Sequence, residues 1–406
     1  MTASVVTSTP RVDQSWLAPL DGVRGLAALW VIAAHALLLC GARTHFRGGV
    51  AVDVFMVVSG LLMAHHYMHR RSAEPWESPL TWLGFYLRRF FRIAPLYYAI
   101  LALSILFVED FEQARNQIDL AMGLPKREYA PATASNWFTH LTFVFGAIPQ
   151  YHRSTIPPDW SIGLEMQFYL VFPFIMLAGA RLSPALLATI AVAISLVAQR
   201  TVGPQFVVPS FLPLKIHVFL IGILLAKALA EPRTRHTSRL ILVLCALAIC
   251  GITRSRLLTL AVCGIGAILL TPRQSTPTEP VARPIAYLRD LLGCRLASRL
   301  ADISYGLYLL HLLILIPLVA LLVQYKWFMD MAPLMRFALV LPVVVIATVL
   351  GSTALHHGIE QPCIACGKLL VKWVNQSRKA SPVDDESAAF DEALRDVPAP
   401  ALVRAQ

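Results

Sequence analysis

Long apolar runs separated by short polar stretches dominate the chain, at roughly 17–40, 48–67, 93–108, 160–180, 184–198, 211–230, 240–252, 255–272, 302–324 and 337–355. About 20 apolar residues carry a helix across the hydrocarbon core of a bilayer, and the shorter runs borrow interfacial residues to do so. The pattern predicts an all-α integral membrane protein, a bundle of about ten transmembrane helices. Segment 137–148 is too short to count as a crossing and reads as a re-entrant or interfacial piece. No internal repeat is visible.

Charge decides how the runs thread the membrane. With ten crossings, the basic loops all fall on one side. They carry Arg70, Arg71, Arg88, Arg89 and Arg92, then Lys227, Arg233, Arg235 and Arg239, then Arg273, Arg283, Arg289, Arg295 and Arg299, and finally Lys368, Lys372, Arg378 and Lys379. The opposite side receives 109–159, where Glu109, Asp110, Glu112, Asp119, Glu128 and Asp159 outnumber the basic residues. Counting 137–148 as a span would put the 227–239 cluster outside, against the positive-inside rule. Both termini are therefore expected in the cytoplasm. The expected organisation is a cytoplasmic N-terminal segment over 1–15, a transmembrane domain over 16–372 and a disordered cytoplasmic tail over 373–406. Residues 1–15 lack a basic start followed by an apolar run, so no cleaved signal peptide is expected.

Composition agrees. Hydrophobic residues make up 57% of the 406 positions and charged residues 15%, which argues against a soluble chain. The net charge of +11 lies in the loops between apolar runs, so lipid rather than nucleic acid is the expected partner. The seven cysteines are scattered, and the pair Cys363 and Cys366 has no second pair to complete a zinc site, so neither a disulfide framework nor a metal is expected.

Ionisable residues inside a span cost several kcal/mol by most estimates and usually face a cavity or a partner. The first run contains Asp21, Arg24 and His35, with Arg24 and His35 eleven residues, about 16 Å, apart on one helix face. Asp21 and Arg24 also suit a plain i, i+3 ion pair, and His35 also suits a structural hydrogen bond to a neighbouring helix. Measured from the run boundaries, His35, Asp53 and Glu165 each lie about five residues inside the same face. A histidine level with carboxylates suits acid–base chemistry, because a carboxylate orients imidazole and stabilises its cation. Lys215 and His217 enter at a comparable depth and are expected to line the same cavity. Near the other face, Arg24, Arg88, Arg89 and Arg92 either anchor the helices or together clamp phosphates.

These stretches, taken together, resemble the bacterial acyltransferase-3 family of membrane O-acyltransferases. The resemblance rests on Leu20-Asp-Gly-Val-Arg-Gly-Leu-Ala27 running on to His35, and on Gly49-Val-Ala-Val-Asp-Val-Phe-Met-Val-Val-Ser-Gly60. It continues through Arg88-Arg-Phe-Phe-Arg-Ile-Ala-Pro95, Trp160-Ser-Ile-Gly-Leu-Glu-Met-Gln-Phe-Tyr169, Ile303-Ser-Tyr-Gly-Leu-Tyr-Leu-Leu-His311 and Ile359-Glu-Gln-Pro362. The family pairs an arginine and a histidine eleven apart on its first helix, matched by Arg24 and His35. Met166 stands where a second glutamate is common. Members often add a hydrolase-like domain for which this sequence leaves no room, so acceptor hand-off is expected from the membrane domain alone or from polysaccharide-assembly proteins.

The resemblance implies transfer of an acyl group, commonly acetyl, from acyl-coenzyme A to a sugar hydroxyl in the bacterial cytoplasmic (inner) membrane. The donor is a co-substrate; no permanently bound cofactor is expected. Its phosphates would rest on Arg24, Arg88, Arg89 and Arg92, and His35, oriented by Asp53 or Glu165, would act either as general base or as covalent acyl relay. The acceptor would be a lipid-linked or extracytoplasmic glycan, with a small hydrophobic natural product such as a macrolide as rival. A transporter of lipid-linked sugars and a non-catalytic sensor or assembly partner are the competing classes.

Overall fold

The computed structural model describes residues 17–71, 74–126, 133–232, 235–253, 255–270 and 282–379. The expectations for 1–15, for 380–406 and for Arg233, Glu128 and Arg273 lie outside the described residues. Among the described residues there is no β-strand. The helices run α1 Ala18–Leu39, α2 Gly48–Arg70, α3 Pro79–Leu106, α4 Val108–Met122, α5 Ala134–Leu141, α6 Trp160–Arg181, α7 Pro184–Thr201 and α8 Ile216–Ala230. They continue with α9 His236–Thr253, α10 Arg256–Leu270, α11 Ala282–Leu292, α12 Arg295–Asp302, α13 Ser304–Leu322, α14 Lys326–Met329, α15 Pro333–Leu355 and α16 Gln361–Lys379.

Local chemistry sets many of the ends. Pro79, Pro184 and Pro333 sit in first turns, where the missing N–H costs nothing. Ser183 and Thr133 accept the N-terminal N–H groups of α7 and α5. Gly123, at φ +63°, ends α4 in the left-handed conformation. Among the described residues, seven helical stretches are long and apolar enough to cross a bilayer: α1, α2, α3, α6, α7, α13 and the continuous 43-residue run from Pro333. Helices α8, α9 and α10 are apolar but shorter. The chain is thus a multi-pass helical membrane protein.

Two boundaries differ from the sequence expectation. Helix α3 begins at Pro79, well before the apolar run at 93, because its basic first half packs against α16, with Gly367 against Phe91 and Gly84 against Val371. Helix α16 is helical to Lys379, seven residues past the boundary expected at 372. A single π-turn, His356–Glu360, joins it to α15, and there His356 Nδ1 pairs with Glu360 Oε2 at 2.9 Å.

Close approach between α2 and α8 depends on glycine. A Cβ at Gly60 would collide with the Phe219 carbonyl, and one at Gly222 with the Val57 carbonyl. Small residues let backbones meet in this way where lipid gives apolar side chains no net drive to associate.

Segment 134–159 contains no helix long enough to cross a bilayer. Its eight-residue α5 and a 3₁₀ turn over Val144–Ala147 fold against the bundle, and a buried polar knot holds them. Tyr97 Oη lies 2.8 Å from His140 Nδ1 and donates to Asp159 Oδ2 at 3.1 Å. Thr155 Oγ1 donates to the same oxygen at 2.7 Å, and His140 Nε2 lies 2.7 Å from Ser154 Oγ. The residues just before α6 are therefore interior: Ile156 is 1% exposed and Asp159 2%.

Candidate active site

A cavity of about 410 Å³ opens among α1, α2, α3, α6 and α13. One end is basic, lined by Arg24, Arg89 and Arg92 with His66 beside them. Arg24 Nη2 donates to Ser304 Oγ at 3.3 Å, tying α1 to α13. Its distance to Asp21 is 3.9 Å, so the i, i+3 pair is loose. The Arg89 guanidinium lies 5.3 Å from the centre of the Tyr169 ring and 5.8 Å from that of Phe85, which holds it flat against the wall. Beside them, Glu165 Oε1 accepts from Ser59 Oγ at 3.0 Å and from Tyr169 Oη. Phe55, Ser161 and Tyr308 also line the cavity. There Ser161 Oγ donates to Tyr308 Oη at 2.7 Å, and Tyr308 Oη donates to the Pro158 carbonyl at 2.6 Å.

Behind Tyr308 stands a histidine pair. His35 Nδ1 lies 2.9 Å from His311 Nε2, and the two rings stack 5.0 Å apart. The Tyr308 ring centre is 6.2 Å from that of His311, so one aromatic side chain connects cavity wall and histidines. His311 is fully buried, and its Nδ1 faces the carbonyls of Tyr308 at 2.8 Å and Leu307 at 3.2 Å. A carbonyl only accepts, so Nδ1 of His311 carries a proton, and in the neutral ring Nε2 carries the lone pair. That lone pair accepts the Nδ1 proton of His35. The lone pair of His35 is thereby placed on Nε2, the tautomer a general base or nucleophile needs.

The structure brings some expected residues together and separates others. Arg24, Arg89, Arg92 and Glu165 share the cavity. His35 is not among the cavity's lining residues; the contacts reach it from Tyr308 through His311. Asp53 does not orient it: both Asp53 oxygens accept from Lys215 Nζ, at 2.7 and 2.9 Å. Asp53, Lys215 and His217 together line a separate polar cavity of about 120 Å³, with Ser195, Gln199 and Thr253, rather than the main one. Glu165 is not level with Asp53 either. Its bond to Ser59 places it six residues further along α2, about 9 Å. The start of α6 is not a membrane boundary, because the polar knot draws it inside the bundle. Arg88 turns away from the main cavity into a bidentate pair with Glu74, at 2.8 and 3.2 Å.

His311, Ser59, Tyr169 and Tyr308 were given no role from the sequence. The signal for His311 was present, because it is an ionisable residue deep in the apolar run 302–324. For the hydroxyl groups nothing in the sequence separates a site residue from a helix-packing one.

A family model described as an acyltransferase domain, acyltransferase-3, matches residues 17–357. The peptidoglycan O-acetyltransferase OatA of Listeria monocytogenes is 28% identical over 196 residues, covering 46% of this chain and 29% of that protein. YrhL of Bacillus subtilis, named as a candidate peptidoglycan O-acetyltransferase, is 26% identical over 318 residues, 72% of this chain and 47% of that protein. BcsY of Komagataeibacter xylinus, named as a candidate membrane-bound transacylase, is 32% identical over 162 residues, 39% of this chain and 36% of that protein. The chain thus spans less than half the length of these relatives. No solved structure matches it.

Proposed function

The chain belongs to the acyltransferase-3 family, and from that premise we propose that it moves an acyl group, acetyl by preference, from acyl-coenzyme A to a hydroxyl of a lipid-linked or extracytoplasmic glycan. The observation that carries this reading is the His35–His311 contact, with the His35 lone pair set on Nε2, lying one ring beyond a cavity whose far end is arginine-lined. Relatives named as peptidoglycan O-acetyltransferases support a glycan acceptor. In the bacterial cytoplasmic membrane the chain would cross ten times with both termini in the cytoplasm.

Donor phosphates rest on Arg24, Arg89 and Arg92, whose guanidinium groups suit them in bidentate geometry. The acyl-bearing arm extends up the cavity past Ser59 and Glu165 toward Tyr308. His35 Nε2 takes the acceptor hydroxyl proton as the oxygen attacks the thioester carbonyl. The carbon–sulfur bond breaks, and the proton passes on to the departing thiolate. In the relay form, Nε2 itself attacks the carbonyl and the thiolate leaves; the acceptor hydroxyl then displaces imidazole, and its proton passes to the thiolate. Glu165 lies along the donor's path, so its role is to position Ser59, Tyr169 and the arginines.

The test is donor-dependent ester formation by detergent-purified protein. His35→Ala should lower turnover by about 10²–10⁴, or more if the relay operates, with the fold intact. Near wild-type turnover by His35→Gln would move the chemistry to other residues. A transporter of lipid-linked sugars would release no free coenzyme A, and an acylated macrolide in place of an acylated glycan would replace the acceptor class.

A further inference from the structure

A second chamber of about 200 Å³ adjoins the arginine end of the main cavity, and Met63, His66, Arg89 and Arg92 line both. Its outer rim adds Arg70 from α2, Arg88 from α3 and Lys368 from α16. Glu74 alone supplies an acidic group there, and Arg88 already neutralises it. Its inner wall is aromatic, with Tyr67 and Trp76 in edge contact at 5.0 Å and Phe85 stacked on Phe172 at 5.6 Å. Tyr67 is 6% exposed, and its hydroxyl is buried without a hydrogen-bond partner. An orphaned buried hydroxyl carries a desolvation cost that a polar ligand would relieve.

Resting on the donor assignment above, we propose that this outer chamber binds the nucleotide end of the thioester donor. Arg70 and Lys368 recognise its phosphates, and Tyr67 Oη hydrogen-bonds a polar group of the nucleoside. The chemistry is complementary: a phosphorylated nucleoside brings several negative charges, a flat ring for an aromatic wall and hydroxyls for an unpaired phenol. A phospholipid headgroup shares the charge but not the ring, and its acyl chains have no place in a chamber that adjoins the cavity lined by Glu165 and Ser59. Since Lys368 belongs to α16, the helix after the π-turn becomes part of the donor site.

The experiment compares two donors, acetyl-coenzyme A and acetyl-pantetheine, which lacks the nucleotide and its phosphates, with the full-length protein purified in detergent containing zwitterionic lipid. Arg70→Ala and Lys368→Ala should each raise KM for acetyl-coenzyme A by about tenfold, the loss expected for one charge-assisted contact, and leave kcat unchanged. KM for acetyl-pantetheine should stay within about twofold of wild type. Arg70→Lys and Lys368→Arg keep the charge and should restore most of the affinity. Equal increases for both donors, or no increase for acetyl-coenzyme A, would overturn the nucleotide site while leaving the donor assignment standing. An effect that appears only when anionic phospholipid is added would assign the chamber to lipid instead. A wild-type protein that uses neither thioester would remove the donor assignment and this site together.

Discussion

At the scale of single residues, the tautomer of His35 is set by a chain of two hydrogen bonds that starts at a backbone carbonyl. His311 is thus a positioning residue, and its loss is distinguishable from loss of fold. His311→Ala should lower kcat by at least about tenfold and leave the donor KM near its wild-type value, because no donor contact is removed. His311→Gln offers a side-chain carbonyl that can accept from His35 Nδ1, and should recover much of the rate. Equal losses in both variants together with reduced thermal stability would make the pair structural. Arg24 makes the opposite prediction. Arg24→Ala should raise the donor KM by the equivalent of about 1.5–3 kcal/mol, a charged contact, with kcat less affected. Unchanged donor affinity in a folded variant would return Arg24 to membrane anchoring. His35 and Arg24 were legible in the sequence, since polar groups in apolar runs announce themselves. Their partners were not: Asp53 and Glu165 are as conspicuous as His35, and only the rotation of α2 and α6 sends one to Lys215 and the other to Ser59.

At the scale of elements, Asp53 belongs to the contact between α2 and α8. Gly60 and Gly222 bring the two backbones together, and the Lys215 ammonium, just before α8, then meets the Asp53 carboxylate. Removing one member of such a pair strands a charge, at about 3–5 kcal/mol, whereas removing both costs much less. Lys215→Met should therefore lower thermal stability markedly, and Asp53→Asn combined with Lys215→Met should recover most of it. If the double variant is stable yet inactive while the His35–His311 pair is intact, Asp53 has a catalytic share after all. The knot of Tyr97, His140, Ser154 and Asp159 belongs to the same class of feature. Its Ser–His–Asp contacts have the reach of a hydrolytic triad, but Ser154 Oγ also donates to Asn136 Oδ1 at 3.0 Å, and the group is buried. It holds 134–159 inside the bundle and so fixes where α6 begins. No local sequence pattern encodes that, because the knot joins α3, α5 and the stretch before α6.

At the scale of the whole molecule, the order and approximate limits of the apolar helices were legible, and the crossing number turns on α8, α9 and α10. Fifteen residues of α8 rise only about 22 Å, short of a hydrocarbon core of about 30 Å. Yet contacts at their ends fix their direction within the bundle. Lys227 Nζ donates to the Gly179 carbonyl, Arg239 Nε to that of Ala228, and Arg289 Nη2 to that of Ile268. Those contacts bring the ends of α6, α8 and α10 and the start of α9 to one end of the bundle, the end where Arg24 meets Ser304. Thr253 lines the small cavity with Asp53 and Lys215, so α9 finishes at the opposite end. Three helices that alternate in this way, with basic residues gathered at one end, suit the ten crossings proposed above, which would return both termini to the same side. Single cysteines labelled with a membrane-impermeant reagent check this, in a background lacking the exposed Cys263 and Cys366. Ser135→Cys, in the exposed start of α5, should react in intact cells, and Ser238→Cys, at the start of α9, only after the membrane is opened. Reaction of Ser238→Cys from outside would mean that an odd number of crossings precedes it. The arginine end of the cavity would then face away from the compartment that holds acyl-coenzyme A, and the donor reading would fail with the topology.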